Sequence, residues 1–230
     1  MTSAKREAAN REIRVGVVGA GWFANHVHYP SLSEMPGVTI VAVSDLVEEK
    51  LQATADKYKV DGRYTDYKEM IEKEKPDLVA VCTTATGLPK PGRRAPSRDY
   101  FEDAHADISV YAANQGIPLV YSEKAMACSM VKADAVRDAC HEHGAVFNTG
   151  AHLRFSAQFQ VMRGLIKEGA IGEPVTAVHY ASSNLLHGHI HSIDTLSYLL
   201  GDPGVNVSPL GTQPGVAFTV ALRHTAGPEA

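Results

Sequence analysis

The 230-residue chain is 44% apolar and 21% charged, which places it among ordered, soluble, globular proteins and excludes a disordered chain. Its net charge of −4 argues against a general nucleic-acid binder, which carries a basic excess, and no apolar run approaches the ~20 residues needed to span a bilayer. Cys82, Cys128 and Cys140 lack close metal-type spacing, and the polar segment Met1–Arg14 lacks the apolar centre of a signal peptide, so a reducing cytoplasm is the expected setting.

After a frayed tail over residues 1–12, short β-rich runs alternate with longer helical stretches, the pattern of a parallel sheet covered by helices. Strands are predicted at Ile13–Gly19, Val38–Asp45, Asp77–Thr83, Ile117–Ser122 and Ala145–Thr149. Several are apolar nearly throughout, as strands buried on both faces are. The intervening helices are Trp22–Ser33, Glu48–Tyr58, Tyr67–Glu74, His105–Gln115 and Met130–His143, with Pro30 expected to kink or shorten the first. Residues 86–99 contain three prolines, two glycines and four basic side chains, Lys90, Arg93, Arg94 and Arg98. They read as an exposed loop: a solvated insertion, or a surface that meets an acidic or phosphorylated substrate. Farther on, Arg154–Glu168 reads as an amphipathic helix with Phe155, Phe159, Met162 and Ile166 on one face. A half-exposed strand over Val175–Ser182 and a helix over Ser192–Leu200 follow. Residues 202–230 are rich in Pro and Gly, with one weak strand at Val216–Leu222.

The first strand runs into Gly19-Ala20-Gly21-Trp22-Phe23-Ala24, a G-x-G-x-x-A turn that opens a helix. Gly19 permits the tight turn, Gly21 lets the backbone approach a diphosphate, and Ala24 lets the helix pack close to the strand. Free N–H groups at the helix start, from Trp22 and Phe23 onward, then face the phosphates. Asp45 ends the second strand, 24 residues after Gly21, and suits a hydrogen bond to the adenosine ribose. Its charge repels a 2′-phosphate, and Leu46 stands where an arginine would receive one, so NAD is expected over NADP. This predicts an α/β fold: a doubly wound Rossmann domain over residues 1–125, followed by a short α+β domain over 126–230. Residues 145–150 have the option of returning to the first sheet.

Ligands of open parallel sheets bind beyond the carboxyl ends of the strands. That rule puts Thr83 and Thr84, at the end of the strand Asp77–Thr83, and Glu123 and Lys124, after the strand Ile117–Ser122, beside the cofactor. In His187-Gly188-His189-Ile190-His191-Ser192-Ile193-Asp194, a helix starting near His191 sets His191 and Asp194 on one face. Asp194 either orients His191 or closes the first turn.

Taken in order, these motifs make the chain resemble the glucose-fructose oxidoreductase, inositol dehydrogenase and rhizopine-catabolism family (Gfo/Idh/MocA). The resemblance covers residues 13–202. It rests on the glycine turn, Asp45, Tyr64-Thr65-Asp66-Tyr67, Val81-Cys82-Thr83, Glu123-Lys124, Arg154-Phe155-Ser156, Gly169-Ala170-Ile171-Gly172-Glu173-Pro174 and His191-x-x-Asp194. It implies a two-domain, nicotinamide-dependent oxidoreductase acting on sugars, cyclitols and related polyols, and an expected homo-oligomer. In that family the lysine of Glu-Lys-Pro corresponds to Lys124 and the catalytic histidine to His191, with His187 and Asp194 in support. The chemistry suits them: oxidising a secondary alcohol needs a base for the hydroxyl proton, and histidine titrates near neutrality.

Three features depart from the family pattern. Ala125 replaces the proline after the lysine, His187 stands where aspartate is common, and the chain stops at Ala230 after about two strands of the family's second sheet. Two other functions are therefore weighed: a nicotinamide-binding sensor, regulator or relic without catalysis, and a metal site built from His187, His189 and His191.

Overall fold

A computed structural model describes residues 12–84, 103–174, 177, 188 and 190–201. The chain forms two compact units, Met1–Gly150 and Ala151–Ala230. The basic loop at 86–99, the strand expected at Val175–Ser182 apart from Ala177, the strand expected at Val216–Leu222, and His187 and His189 lie outside the described residues.

The first unit is a six-stranded parallel sheet made of β1 (Ile13–Val18), β2 (Val38–Ser44), β3 (Gly62–Tyr64), β4 (Leu78–Val81), β5 (Leu119–Ser122) and β6 (Val146–Thr149). Its order is β3-β2-β1-β4-β5-β6, with every pairing parallel. This is the 3-2-1-4-5-6 order of a doubly wound nucleotide-binding sheet. The direction of winding reverses between β1 and β4, opening a crevice at their carboxyl ends. The unit extends to Gly150, because β6 adds to the edge of β5 and the helix before it packs under the sheet. β3, which the sequence reading lacked, is a three-residue edge strand on β2.

Strand periodicity sorts side chains onto two cores. Val15, Val17, Val43, Ala80 and Cys82 pack with Tyr29, Leu51 and Ala55 on one face. Val18, Ala42, Val79, Val81 and Val120 pack with Met70, Ile71, Ile108 and Ala112 on the other.

Residues 22–34 are helical throughout. They comprise a π turn over Ala24–His28 and then α1 (Tyr29–Glu34). Pro30 does not shorten this helix, which runs to Glu34. It has no N–H for the His26 carbonyl, and the Tyr29 N–H instead reaches back to Ala24 O in a π-type bond. The other helices of this unit are α2 (Glu48–Tyr58), α3 (Tyr67–Glu74), α4 (Ala104–Asn114) and α5 (Met130–His143). Their ends follow local chemistry: Asp66, Asp103 and Ser129 cap N-termini through side-chain oxygens, and Gly144 ends α5 at φ 67°.

In the second unit a 3-10 turn over His152–Phe155 precedes α6 (Ala157–Lys167), and α7 spans Ile190–Leu200. The helix expected to start at Arg154 is interrupted because Ser156 is extended and its hydroxyl donates to the Leu153 carbonyl, a local bond that competes with helix. Phe159 and Ile166 are half-buried, whereas Phe155 and Met162 are exposed. Among the described residues no helix is long and apolar enough to cross a membrane.

Candidate dinucleotide and hydride-transfer site

The glycine turn lies at the crevice. Gly19 has φ +113°, and a Cβ there would fall 2.6 Å from the Cys82 carbonyl oxygen. Packing and conformation both demand glycine at this position. Gly21 differs: a Cβ there would meet no atom of the described residues within 4 Å. Nothing in the protein's own packing requires glycine there, whereas a phosphate group approaching the backbone does.

Asp45 braces the turn from the end of β2. One of its carboxylate oxygens accepts the Ala20 N–H (2.7 Å) and the other accepts the Val47 N–H (2.8 Å). Each oxygen keeps a second lone pair, so the carboxylate can also receive a ribose hydroxyl. Leu46 beside it is exposed. Trp22 is 72% exposed at the mouth of the turn and stacks on the His26 ring, with centroids 4.1 Å apart.

Across the crevice, Thr83 and Thr84 leave β4, and Glu123 and Lys124 leave β5. The Thr83 hydroxyl is buried and has no hydrogen-bond partner among the described residues. His105, almost fully buried on α4, ties the two segments together: Nε2 lies 2.9 Å from the Thr83 carbonyl and Nδ1 2.7 Å from the Ala125 carbonyl. The Lys124–Ala125 peptide bond is cis.

Glu123 is buried, and its carboxylate is the most heavily bonded group at this edge. His28 Nε2 lies 2.8 Å from Oε1, the Tyr121 hydroxyl donates to the same oxygen at 2.9 Å, and the Lys124 backbone N–H donates to Oε2 at 3.2 Å. Burial by itself would raise the Glu123 carboxyl, yet the bonds from His28, Tyr121 and the Lys124 amide hold it below its ordinary value. Burial, followed by the charge of Glu123, pushes the Tyr121 hydroxyl far up, so it stays a donor. His28, Tyr121 and His105 were missed by sequence reasoning. Their partners lie 95, 2 and about 20 residues away, and only the alternation of Tyr121 along β5 offered any signal.

In the second unit, His191 is half-buried on the first turn of α7, and the exposed His152 ring meets it edge-on, with centroids 5.0 Å apart. The Asp194 carboxylate is gripped by Arg154: Nε donates to Oδ2 at 3.1 Å and a terminal nitrogen donates to Oδ1. The guanidinium of Arg163 lies over the Tyr198 ring, 4.3 Å from its centroid. Asp194 was expected to orient His191 or close the helix turn; the structure gives it an ion pair to Arg154 from the Arg154-Phe155-Ser156 motif. Lys124 belongs to the first unit, and His191 and Asp194 to the second.

Residues 13–151 match the profile of the family described as Gfo/Idh/MocA, an oxidoreductase family with an NAD-binding Rossmann fold. The chain belongs to this family. This chain carries its glycine turn and its Glu123-Lys124 pair on the doubly wound sheet. It is 27% identical to the inositol 2-dehydrogenase of Salmonella typhimurium, over 83% of this chain and 55% of that one. It is 22% identical to the myo-inositol 2-dehydrogenase of Thermotoga maritima, over 83% and 55% respectively. The chain thus spans about half the length of these curated relatives. Among solved structures, scyllo-inositol dehydrogenase from Lactobacillus casei, with bound NAD(H) and scyllo-inositol, shares the fold with a TM-score of 0.70 and 18% identity. That match covers 89% of this chain and 61% of the other.

The residues present fit a nicotinamide dinucleotide. The open face at Gly21, the half-buried acid at Asp45 and the orphaned Thr83 hydroxyl lie along one edge of the sheet.

Proposed function

We propose that this chain is an NAD-dependent oxidoreductase that oxidises a secondary hydroxyl of a cyclitol-like or sugar-like polyol, and that it works as a homo-oligomer. The observation that carries the reading is the pairing of Gly21, glycine for no reason of packing, with Asp45 braced against the same turn. NAD, when bound, supplies the hydride acceptor.

In this reading the amides after Gly21 hold the diphosphate, and Asp45 takes the ribose hydroxyls. Leu46 offers no cation to a 2′-phosphate, which disfavours NADP. Lys124 carries positive charge toward the reacting hydroxyl and lowers the cost of its developing negative charge. His191 accepts the hydroxyl proton. Asp194 acts through Arg154 to hold the start of α7, and so the position of His191. His187 assists as a second proton acceptor. Inositol dehydrogenases among the relatives support a cyclitol as the first substrate to try.

The experiment is NAD reduction followed by absorbance with myo-inositol, scyllo-inositol and a panel of aldoses. Turnover that disappears in both Lys124→Met and His191→Asn supports the proposal. Binding of NADH without turnover of any polyol overturns the catalytic reading and leaves a nicotinamide-binding protein. Absence of NADH binding overturns the reading altogether.

A further inference from the structure

We propose that His28 is a positioning residue for Lys124, through which the glycine turn and the lysine loop move as one body. The inference rests on Lys124 being catalytic and goes beyond it, because it says how gripping the diphosphate is communicated to the lysine.

The links are continuous. The helix that starts at the glycine turn is fastened back to it twice: the Tyr29 hydroxyl donates to the Gly19 carbonyl at 3.1 Å, and the Asn25 side chain donates to the Ala20 carbonyl at 3.1 Å. The π turn ends at His28 and delivers its imidazole to Glu123 Oε1. The Phe23 ring, two residues after Gly21, meets the His28 ring edge-on with centroids 5.4 Å apart. The other oxygen of Glu123 accepts the Lys124 backbone N–H.

The carboxylate has little freedom to re-aim. Tyr121 holds it from β5, and Gly150 comes so close that a Cβ there would fall 2.9 Å from both oxygens. Being ionised, it makes charge-assisted bonds, which are shorter and stiffer than neutral ones. Burying a charged carboxylate is weak evidence of added stability, since its desolvation offsets much of what its hydrogen bonds return. The His28–Glu123 contact therefore has more to offer as a geometric constraint at the ligand edge than as a stabilising bond.

The test needs no substrate. Reductive 13C-methylation of the full chain gives each lysine a resolved methyl signal, and Lys124→Arg assigns the one of interest. Fluorescence of Trp22, the one tryptophan in the sequence, reports NADH binding independently. In wild type, NADH is expected to shift the Lys124 signal. In His28→Ala it is expected to bind within about threefold of wild-type affinity while the shift is lost, and His28→Gln, which keeps a donor, restores most of it. Once a substrate is known, turnover in His28→Ala should fall about 10- to 100-fold with the KM for NAD unchanged.

If His28→Ala does not fold, Tyr121→Phe, which removes one donor to the same oxygen, takes its place with a partial loss expected. A Lys124 signal that responds to NADH equally with and without His28, or that does not respond in wild type, overturns the inference. So does a folded His28→Ala that also loses NADH binding more than tenfold. Failure of wild type to bind NADH instead overturns the earlier functional reading.

Discussion

The two glycines of the turn offer a separation of folding from binding that can be worked from geometry. Alanine at Gly19 would place a Cβ 2.6 Å from the Cys82 carbonyl oxygen and 3.0 Å from the Thr83 nitrogen, at a φ of +113°. Left-handed backbone costs an L-residue about 1–2 kcal/mol, and overpacking against backbone about 1–3 kcal/mol more. A central value of about 3 kcal/mol lowers the unfolding temperature by about 6–12 °C in a protein of this size. Alanine at Gly21 meets no atom of the described residues within 4 Å, so its unfolding temperature should match wild type within about 2 °C. Its Cβ would instead occupy the space of the diphosphate. Losing one hydrogen bond to a charged group costs about 1.5–3 kcal/mol, a rise in the NADH dissociation constant of about 10- to 150-fold. Thermal unfolding by circular dichroism and NADH titration followed through Trp22 measure the two effects separately. A Gly21→Ala protein that binds NADH like wild type refutes the argument, and so does a Gly19→Ala protein as stable as wild type.

Other expectations follow from the same edge of the sheet. Asp45→Ser with Leu46→Arg removes the charge opposed to a 2′-phosphate and adds a cation for it, so the NADPH-to-NADH affinity ratio should rise at least about tenfold. Paired fluorescence titrations measure it. Glu123 has a folded pKa below the ordinary 4.5, so the unfolded chain takes up the proton first. Its contribution to stability is complete above that value and is lost as pH falls through the lower folded one. Acid unfolding of wild type should therefore be steeper below pH 4.5 than that of Glu123→Gln, as monitored by circular dichroism. Cys128 is exposed while Cys82 and Cys140 are buried, and burial pushes the Cys82 thiol well up. Thiol titration of the native protein should count one reactive group, and three after denaturation.

Much of the first unit was legible in the sequence because its signals are local. Glu48–Tyr58, Tyr67–Glu74 and Met130–His143 all stop at a left-handed residue next to the last helical turn, and the latter two start at side-chain caps. Apolar strands buried on both faces announced the parallel sheet, and the glycine turn with Asp45 announced its ligand edge. β3 escaped notice because Gly62-Arg63-Tyr64 is too short to alternate, and its pairing to β2 is what defines it. The helix expected from Arg154 was misread because one serine bond to Leu153 outweighed an otherwise helical pattern.

The sequence by itself announced the alternation of strands with helices and the glycine turn that opens the first of them, since both depend on residues a few positions apart. The tertiary structure alone decided which side chains meet at the site. His28 finds Glu123 across 95 residues, His105 ties Thr83 to Ala125, and Arg154 takes the oxygens of Asp194. Periodicity reports which face a residue occupies, but a buried carboxylate's partner is fixed by the stacking order of strands and helices, and that order is a property of the folded chain.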